Sequence, residues 1–323
     1  MMRPGIFCSL LSQPAAQQLV NFDLKHWLIL AASGSVGSTT VARDVMRIGI
    51  VGLGLIGGSL GFDWRDRGHR LLGYSRRPAT CERAIARGVV DHASPDPAVL
   101  TEAEVIVLAT PLGVLETTVR ELRDYWHPEA IVTDVGSVKQ PIVAALDPLW
   151  PRFVGGHPMA GTAENGIEAA LRGLFQNRPY VLTPTDQTDP AAIAVVAQLA
   201  QELGSVVLHC DPASHDRAVA TISHLPVFIS ASLIQTCLQE PDPAVQTLAA
   251  TLASSGFCDT SRVGGGNPEL GVMMARYNQA ALLEQIDRYQ IQLERLKTAI
   301  AAADEPAIAA ILQQNQEMRP RYL

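Results

Sequence analysis

A short apolar strand followed at once by closely spaced glycines constrains the fold of this chain more than any other feature. Ile48–Val51 has the fully apolar pattern of a buried parallel strand. In the G-x-G-x-x-G spacing that follows, the glycines permit a tight turn, close approach of a pyrophosphate and close packing of the next helix, whose N-terminus offers unpaired N–H groups. The pattern predicts a dinucleotide site, against the alternative of a glycine-rich turn without a ligand. Its residues are Gly52, Gly54, Leu55, Ile56 and Gly57.

The apolar segments after this turn alternate regularly with helical stretches. The strand candidates are Arg70–Tyr74, Val105–Ala109, Ala130–Thr133, Phe153–Gly155, Tyr180–Thr183 and Val206–Leu208. This alternation predicts an α/β fold with a doubly wound, Rossmann-type parallel sheet. No strand pattern occurs after Asp211-Pro212, so we expect a dinucleotide-binding domain over 46–211 and an all-helical domain over 212–323.

The helical half carries an apolar seam near its end. A helical pattern runs unbroken from about Glu269 to Gln313, and within it apolar residues recur at alternating spacings of four and three: Leu282, Ile286, Tyr289, Leu293, Leu296 and Ile300. Such a seam is typical of a helix that packs against another helix. We expect that partner in the same subunit or across a dimer.

The end of the second strand indicates which dinucleotide binds. An NAD site usually carries Asp or Glu there, bonded to the ribose 2′-hydroxyl. This chain instead has Ser75, Arg76 and Arg77, whose hydroxyl and guanidinium groups suit a 2′-phosphate. We therefore expect NADP as the cofactor, the alternative being a solvated basic turn. Thr110 and Pro111, which follow the strand at Val105–Ala109, are expected to line the same site.

Composition excludes several classes of protein. Of the 323 residues 47% are hydrophobic, which is typical of a globular protein, and the net charge of −7 offers no basic surface to nucleic acid or an anionic membrane. The five cysteines form no C-x-x-C pair, so we expect free thiols in the cytoplasm and no metal site. No apolar run predicts a transmembrane helix. Residues 1–45 precede the first domain, and we expect a poorly ordered extension there.

Residues that follow strands are candidates for chemistry, because ligands of open α/β sheets bind beyond the carboxyl ends of the strands. Ser137 follows one strand, and His157 lies in a turn framed by Gly156 and Pro158 after the next. Histidine is suited to remove a hydroxyl proton near neutral pH, and Ser137 can relay or orient that proton. The alternative for His157 is a structural or exposed histidine.

Two further candidates lie in the helical half. Arg262 stands before three consecutive glycines between helices, where a guanidinium can clamp a substrate carboxylate or form a local ion pair. His224 lies in a helix interrupted by Pro226, and a structural role suits it at least as well as substrate contact.

Several motifs of this chain together resemble the prephenate/arogenate dehydrogenase family, most closely its cyanobacterial NADP-dependent arogenate dehydrogenases. The likeness runs from Met46 to Leu323, and the G-G-H-P-M-A-G-T stretch is its most specific part. The motifs that carry it are Gly52–Ser59, Asp134–Lys139, Gly155–Thr162, Ser223–Pro226 and Gly256–Gly266.

The resemblance implies oxidation of a cyclohexadienol that carries a ring carboxylate, with hydride transfer to nicotinamide and loss of carbon dioxide. By motif match His157 would be the base on the ring hydroxyl, and Ser137 would bond to that hydroxyl or to the histidine. Arg262 would bind the ring carboxylate, while Thr162 and His224 would line the pocket. The helical domain would bind the substrate and form a homodimer.

One departure from the family pattern bears on the substrate. Many members that use prephenate carry a second histidine three residues after the position of His224, where this chain has Val227. The resemblance therefore favours arogenate and tyrosine formation, with prephenate and 4-hydroxyphenylpyruvate as the alternative. A β-hydroxyacid dehydrogenase is disfavoured because only Lys297 could supply the lysine it needs in the helical half. A non-catalytic NADP-binding protein is the remaining alternative.

Overall fold

The computed structural model describes residues 45–162 and 164–322, so the predicted extension 1–45 lies outside it apart from Val45. An eight-stranded sheet forms the first half, in the order β3-β2-β1-β4-β5-β6-β7-β8. The strands are β1 Arg47–Val51, β2 Arg70–Tyr74, β3 His92–Ser94, β4 Val105–Leu108, β5 Ile131–Asp134, β6 Phe153–Pro158, β7 Pro179–Thr183 and β8 Val206–His209. The predicted Rossmann-type sheet is confirmed in this order of its first strands.

The sheet is not wholly parallel, and here the prediction was wrong in one detail. β7 runs antiparallel to β6, pairing His157 with Val181, whereas all the other neighbouring strands are parallel. A parallel return usually needs a helical crossover. Among the described residues between β6 and β7 the only helical element is a short 3₁₀ turn at Ile167–Ala169, and the chain reverses its direction between the two strands.

Helices cover both faces of the sheet and form the second half of the chain. They are α1 Leu55–Asp66, α2 Pro78–Ala86, α3 Leu115–Leu122, α4 Gln140–Leu146, α5 Pro190–Glu202, α6 Pro212–Val219, α7 Leu225–Leu238, α8 Pro243–Leu252, α9 Ser255–Ser261, α10 Pro268–Tyr277, α11 Gln279–Ala301 and α12 Glu305–Met318. A π-helical turn, Ala220–His224, joins α6 to α7. Two apolar cores fill the space between sheet and helices, one around Ile50 and Trp64 and the other around Ile106 and Leu108.

Asp-Pro or Asn-Pro pairs begin four of the helices, α5, α6, α8 and α10. Proline fits the first turn of a helix, and the preceding side chain accepts a bond from an otherwise unpaired N–H group. Asp189, Asp211, Asp242 and Asn267 each do so, at 2.9, 2.8, 2.8 and 2.9 Å. The pair at Asp211 therefore fixes where the helical half begins.

The predicted unbroken helix from Glu269 to Gln313 is three helices. It is interrupted at Asn278, whose side chain bonds into the protein interior, and again at Ala303, which has a positive φ of 47°. Asp304 then caps α12 through the backbone N–H of Ala307 at 3.0 Å. The apolar seam is buried at Leu282 but 52% exposed at Leu293 and 64% exposed at Ile300, so most of its second half is open to solvent in the described residues.

One helical run in the described residues, Pro212–Leu238, is long and apolar enough by length and composition alone to cross a membrane, and 22% of it is buried. Polar side chains on this run bond inside the protein. His215 and Asp216 bond to each other at 2.8 Å, and the Ser230 hydroxyl accepts the Gly264 N–H at 2.8 Å.

Candidate active site

The glycine-rich turn joins β1 to α1 with the geometry of a phosphate cradle. Gly52 has a φ of 100°, and a Cβ at Gly57 would lie 2.0 Å from the Gly52 carbonyl oxygen, so both positions require glycine. A Cβ at Gly54 would meet nothing within 4 Å. This open space lies beside the half-buried first residues of α1, Leu55 and Ile56. The residues present therefore fit a dinucleotide pyrophosphate.

The turn after β2 lies next to the glycine-rich turn, since the Gly52 N–H donates to the Tyr74 carbonyl at 3.0 Å. The hydroxyl of Ser75 accepts the backbone N–H of Arg77 at 3.3 Å. Arg76 and Arg77 are exposed, and neither forms an ion pair within the described part of the chain. Both guanidinium groups are thus free to meet an anionic ligand.

The turn after β4 lies at the same end of the sheet as the glycine-rich turn. Ala109 donates its N–H to the Val51 carbonyl at 2.8 Å, which places Thr110 and Pro111 beside the glycine-rich turn. The Thr110 hydroxyl is buried and has no hydrogen-bond partner among the described residues. Such a group is expected where a ligand supplies the missing partner.

His157 lies within β6 and not in the predicted turn, and it is only 8% exposed. The glycines before it serve close packing: a Cβ at Gly156 would lie 2.7 Å from the Asp134 carbonyl oxygen and 3.2 Å from a ring carbon of Tyr180. Glycine therefore continues the strand where a larger residue would clash. The strand carries His157 to the carboxyl end of the sheet.

A buried ion pair supports this part of β6. Lys139 and Asp134 are both completely buried, and the ammonium of Lys139 bonds to Asp134 Oδ2 and to the Gly156 carbonyl oxygen, the latter at 2.7 Å. Asp134 also accepts the backbone N–H groups of Gly136 at 2.8 Å and Gly156 at 3.2 Å. Burial lowers the pKa of Lys139, while Asp134 opposes that shift.

Two residues that were not predicted from the sequence connect to His157, His215 directly and Asp216 through His215. Nδ1 of His157 lies 2.8 Å from Nε2 of His215, and Nδ1 of His215 lies 2.8 Å from Oδ1 of Asp216. Burial, and then the neighbouring His215, Lys139 and His224, hold the pKa of His157 well below its ordinary value of 6.5. His157 is consequently neutral at pH 7 and able to accept a proton. The only sequence signal for the pair was an adjacent His-Asp just after the predicted domain boundary.

His224 belongs to the same buried cluster. It ends the π-helical turn, and its Nδ1 lies 3.1 Å from the side-chain nitrogen of Asn278, which also donates to the Asp216 carbonyl at 2.8 Å. Since an amide N–H only donates, Nδ1 of His224 is the acceptor and Nε2 carries the proton. That Nε2 is buried without a partner among the described residues. Burial lowers the pKa of His224 to about 4.

The remaining candidates lie at the surface of this region or away from the cluster. Ser137 is half-buried in the turn between β5 and α4. Thr162 is exposed, and its hydroxyl accepts the backbone N–H of Glu164 at 3.2 Å. Arg262 is exposed at the end of α9 and has no ion pair in the described ranges. The structure thus joins His157 and His224 in one cluster, and no bond within the described residues links Thr162 or Arg262 to it.

Comparison with known proteins agrees with this geometry. Residues 60–209 match the prephenate dehydrogenase nucleotide-binding domain, and residues 211–314 match the prephenate dehydrogenase dimerization domain. The chain is 31% identical over 265 residues to the prephenate dehydrogenase of Bacillus subtilis, covering 79% of this chain and 70% of the relative. The chain belongs to the prephenate dehydrogenase family.

Solved structures of prephenate and arogenate dehydrogenases share its fold. Synechocystis arogenate dehydrogenase is 51% identical, with a TM-score of 0.78 over 86% of this chain and 100% of that one. The Aquifex aeolicus prephenate dehydrogenase in complex with hydroxyphenyl propionate and NAD+ is 27% identical, with a TM-score of 0.82 over 87% of this chain and 99% of that one. The predicted family is therefore confirmed, and the protein is an oxidoreductase of tyrosine biosynthesis.

The two family matches divide the site between them. His157 and Lys139 lie in the nucleotide-binding match, whereas His215, Asp216 and His224 lie in the dimerization match. The buried cluster consequently spans the contact between the two parts of this dehydrogenase. In the described residues no group of His, Cys, Asp and Glu side chains is arranged to hold a metal ion.

Proposed function

We propose that this dehydrogenase oxidises and decarboxylates arogenate to tyrosine with NADP. The observation that carries the proposal is His157, a buried imidazole that is neutral at pH 7 and lies near the carboxyl end of β6, in the same sheet as the strand that leads into the dinucleotide turn. A neutral histidine there can act as a general base on a hydroxyl group. The 51% identity to Synechocystis arogenate dehydrogenase supports arogenate as the substrate.

The proposed chemistry assigns a role to each candidate side chain. Nε2 of His157 takes the proton of the ring hydroxyl, and the Ser137 hydroxyl orients that group. Arg262 binds the ring carboxylate without neutralising it fully, because loss of carbon dioxide needs its electrons. Thr162 and the Nε2–H of His224 line the pocket. Bound nicotinamide supplies the acceptor for the hydride of the carbinol carbon.

The preference for NADP rests on the turn after β2. Ser75, Arg76 and Arg77 present a hydroxyl and two unpaired guanidinium groups next to the glycine-rich turn, and no carboxylate stands there to repel a 2′-phosphate. A guanidinium binds phosphate through two parallel hydrogen bonds. The structure of Aquifex aeolicus prephenate dehydrogenase contains NAD+, which supports a nicotinamide cofactor. NADP differs from NAD by the 2′-phosphate, so the contacts to that phosphate determine the preference.

The preference for arogenate over prephenate rests on Val227. It lies three residues after His224 and is half-buried on α7. An aliphatic side chain offers no donor to the keto-acid side chain of prephenate. Prephenate dehydrogenation remains the second candidate because the curated relatives include enzymes named for prephenate.

A homodimer through the helical half is part of the proposal. Many large apolar side chains of the helical half are exposed in the single chain, and exposed apolar patches often mark interfaces between proteins. They include Ile222, Leu238, Leu248, Leu252, Val272, Leu283, Ile291, Leu293 and Ile300. The dimerization-domain match supports this assignment. We place the reaction in the cytoplasm, where the thiols of Cys81, Cys210, Cys237 and Cys258 would stay free.

Steady-state kinetics with each pairing of arogenate or prephenate with NADP or NAD test the proposal. The rate is measured from the absorbance of the reduced nucleotide. We expect the highest kcat/KM for arogenate with NADP. The His157→Asn variant is expected to lower kcat by roughly 10²–10⁴-fold. Faster use of prephenate would reject the substrate assignment, and NADP binding without reduction by either substrate would indicate a non-catalytic protein.

A further inference from the structure

A line of three buried side chains crosses from β6 to α6. His157 lies 2.8 Å from His215, and His215 lies 2.8 Å from Asp216. The exposed fractions of the three residues are 8%, 3% and 2%. The two rings meet edge to face, at an interplanar angle of 71°. These contacts are direct and need no water to bridge them.

Hydrogen-bond chemistry determines which atom of the line carries each proton. Oδ1 and Oδ2 of Asp216 accept the backbone N–H groups of Lys139 at 2.7 Å and Gln140 at 2.8 Å. The carboxylate therefore acts as an acceptor, and Nδ1 of His215 is the donor to it. A neutral imidazole has one N–H, so Nε2 of His215 is an acceptor and Nδ1 of His157 must donate to it.

This arrangement leaves the lone pair of His157 on Nε2. In the part of the chain that the structure describes, the hydrogen bond of the His157 ring is made by Nδ1, and none is made by Nε2. It is the atom that the proposed reaction uses to accept a proton. The opposite tautomer, with the proton on Nε2, would leave His157 unable to act as a base and would oppose two acceptors at its contact with His215.

The line connects the two parts of the protein. The Asp216 side chain, on α6, accepts the backbone N–H groups of Lys139 and Gln140 at the start of α4. The Asp216 carbonyl accepts the side-chain N–H of Asn278, which lies between α10 and α11, at 2.8 Å. The base thus comes from the nucleotide-binding half, and the groups that orient it come from the helical half. The orientation of His157 therefore depends on the contact between the two halves.

We propose that His215 and Asp216 are positioning residues that hold His157 in its Nδ1–H tautomer, with the Asp216 carboxylate as the only negative charge in the line. This inference rests on the proposed function of His157 as the base. When the ring hydroxyl is oxidised, its proton moves to Nε2 of His157, and the Nδ1 proton stays between the two histidines. No proton passes to Asp216, whose charge offsets that of the imidazolium. The proton on Nε2 leaves to water after product release.

The charged and titratable neighbours of His157 make this support necessary. Lys139, His215 and His224 all disfavour a positive charge on His157, as does burial. Asp216 is the carboxylate at the end of the line, while Asp134 is paired with Lys139. Removing the line would therefore leave an imidazole that is less well oriented and that has lost the carboxylate of Asp216 from its surroundings.

The ¹⁵N spectrum of histidine-labelled protein tests the tautomer without any turnover. We expect His157, assigned by comparison with His157→Asn, to show a protonated Nδ1 and an unprotonated Nε2 at pH 7. In His215→Leu this preference should be lost. A protonated Nε2 in the unaltered protein would overturn the inference, whether or not the protein turns over arogenate.

Kinetics of His215 variants provide the second readout. Misplacement of a reacting group costs about 10²-fold, so we expect His215→Leu to lower kcat by about that factor while the substrate KM stays within about twofold. His215→Gln, which can still accept from one side and donate to the other, should recover part of the loss. His69→Leu is the matched control, because His69 is a buried histidine that donates to Glu202 at 2.6 Å near the start of β2.

The outcomes separate the two levels of the proposal. Equal kcat values for His215→Leu and His69→Leu would overturn the positioning role. Failure of the unaltered protein to reduce either nucleotide with either substrate would reject the proposed function, and the histidine spectrum would still decide the tautomer.

Discussion

Replacing Lys139 by methionine removes the cation from a completely buried ion pair. Asp134 would keep only its bonds from the N–H groups of Gly136 and Gly156, at 2.8 and 3.2 Å, and the Gly156 carbonyl would lose its donor at 2.7 Å. Breaking a buried pair from one side costs about 3–5 kcal/mol, and an unpaired carbonyl costs about 1–3 kcal/mol. These terms overlap because one ammonium supplies both bonds, so we expect a loss of about 4 kcal/mol.

Thermal and denaturant unfolding followed by circular dichroism measure this loss. A change of about 4 kcal/mol corresponds to a Tm roughly 10 °C lower in a protein of this size. Lys297→Met is the matched control, since Lys297 pairs with Glu294 at 3.2 Å and both side chains are largely exposed; its effect should stay within about 0.5 kcal/mol. Equal Tm values for the two variants would refute the buried-pair reasoning.

Three further predictions concern the cofactor, the substrate and pH. Arg76→Ala should raise the KM for NADP by about 10–100-fold and change the KM for NAD little, because a charge-assisted bond contributes about 1.5–3 kcal/mol. Arg262→Ala should raise the substrate KM by a similar factor with a smaller change in kcat. Because His224 is held neutral when folded and titrates at about 4, but near 6.5 when unfolded, its contribution to the free energy of unfolding is present above pH 6.5. About 3 kcal/mol of it should be lost by pH 4, which chemical denaturation over this pH range can measure.

A specific result would contradict each of these three predictions. Equal effects of Arg76→Ala on both nucleotides would remove the 2′-phosphate contact. An unchanged substrate KM in Arg262→Ala would remove that residue from the carboxylate site. For the pH effect, His224→Asn should give a shallower loss of stability between pH 6.5 and 4, since asparagine does not titrate there. Parallel curves for the variant and the parent would show that His224 does not contribute.

The sequence predicted the sheet well because its signals are local. An apolar run such as Ile48–Val51 and the glycine spacing after it report buried strands and a tight turn directly, and both appear where they were expected. The orientation of β7 was missed because strand direction depends on the path of the connection. The break at Asn278 was missed because its side chain bonds to Asp216 and His224, which are distant in sequence.

The same distinction applies to the site. Gly156 was predicted to lie in a turn, but it lies in a strand. A side chain at this position would clash with Asp134 and Tyr180, and those contacts are visible only in the fold. Lys139 ends one of the motifs that carry the family resemblance, and its place as a buried cation paired with Asp134 appears only in the fold. His215 and Asp216 carry no motif that a single sequence marks, and His215 contacts His157 only when the two halves of the chain pack together.

The most direct test of this account is the product balance of the purified protein incubated with arogenate and NADP. Reduced nucleotide, carbon dioxide and tyrosine should form in equal molar amounts, and all three should fall together in His157→Asn. Reduced nucleotide without carbon dioxide, or an equal product yield from His157→Asn at the same rate, would contradict the central claim that His157 is the base of an oxidative decarboxylation.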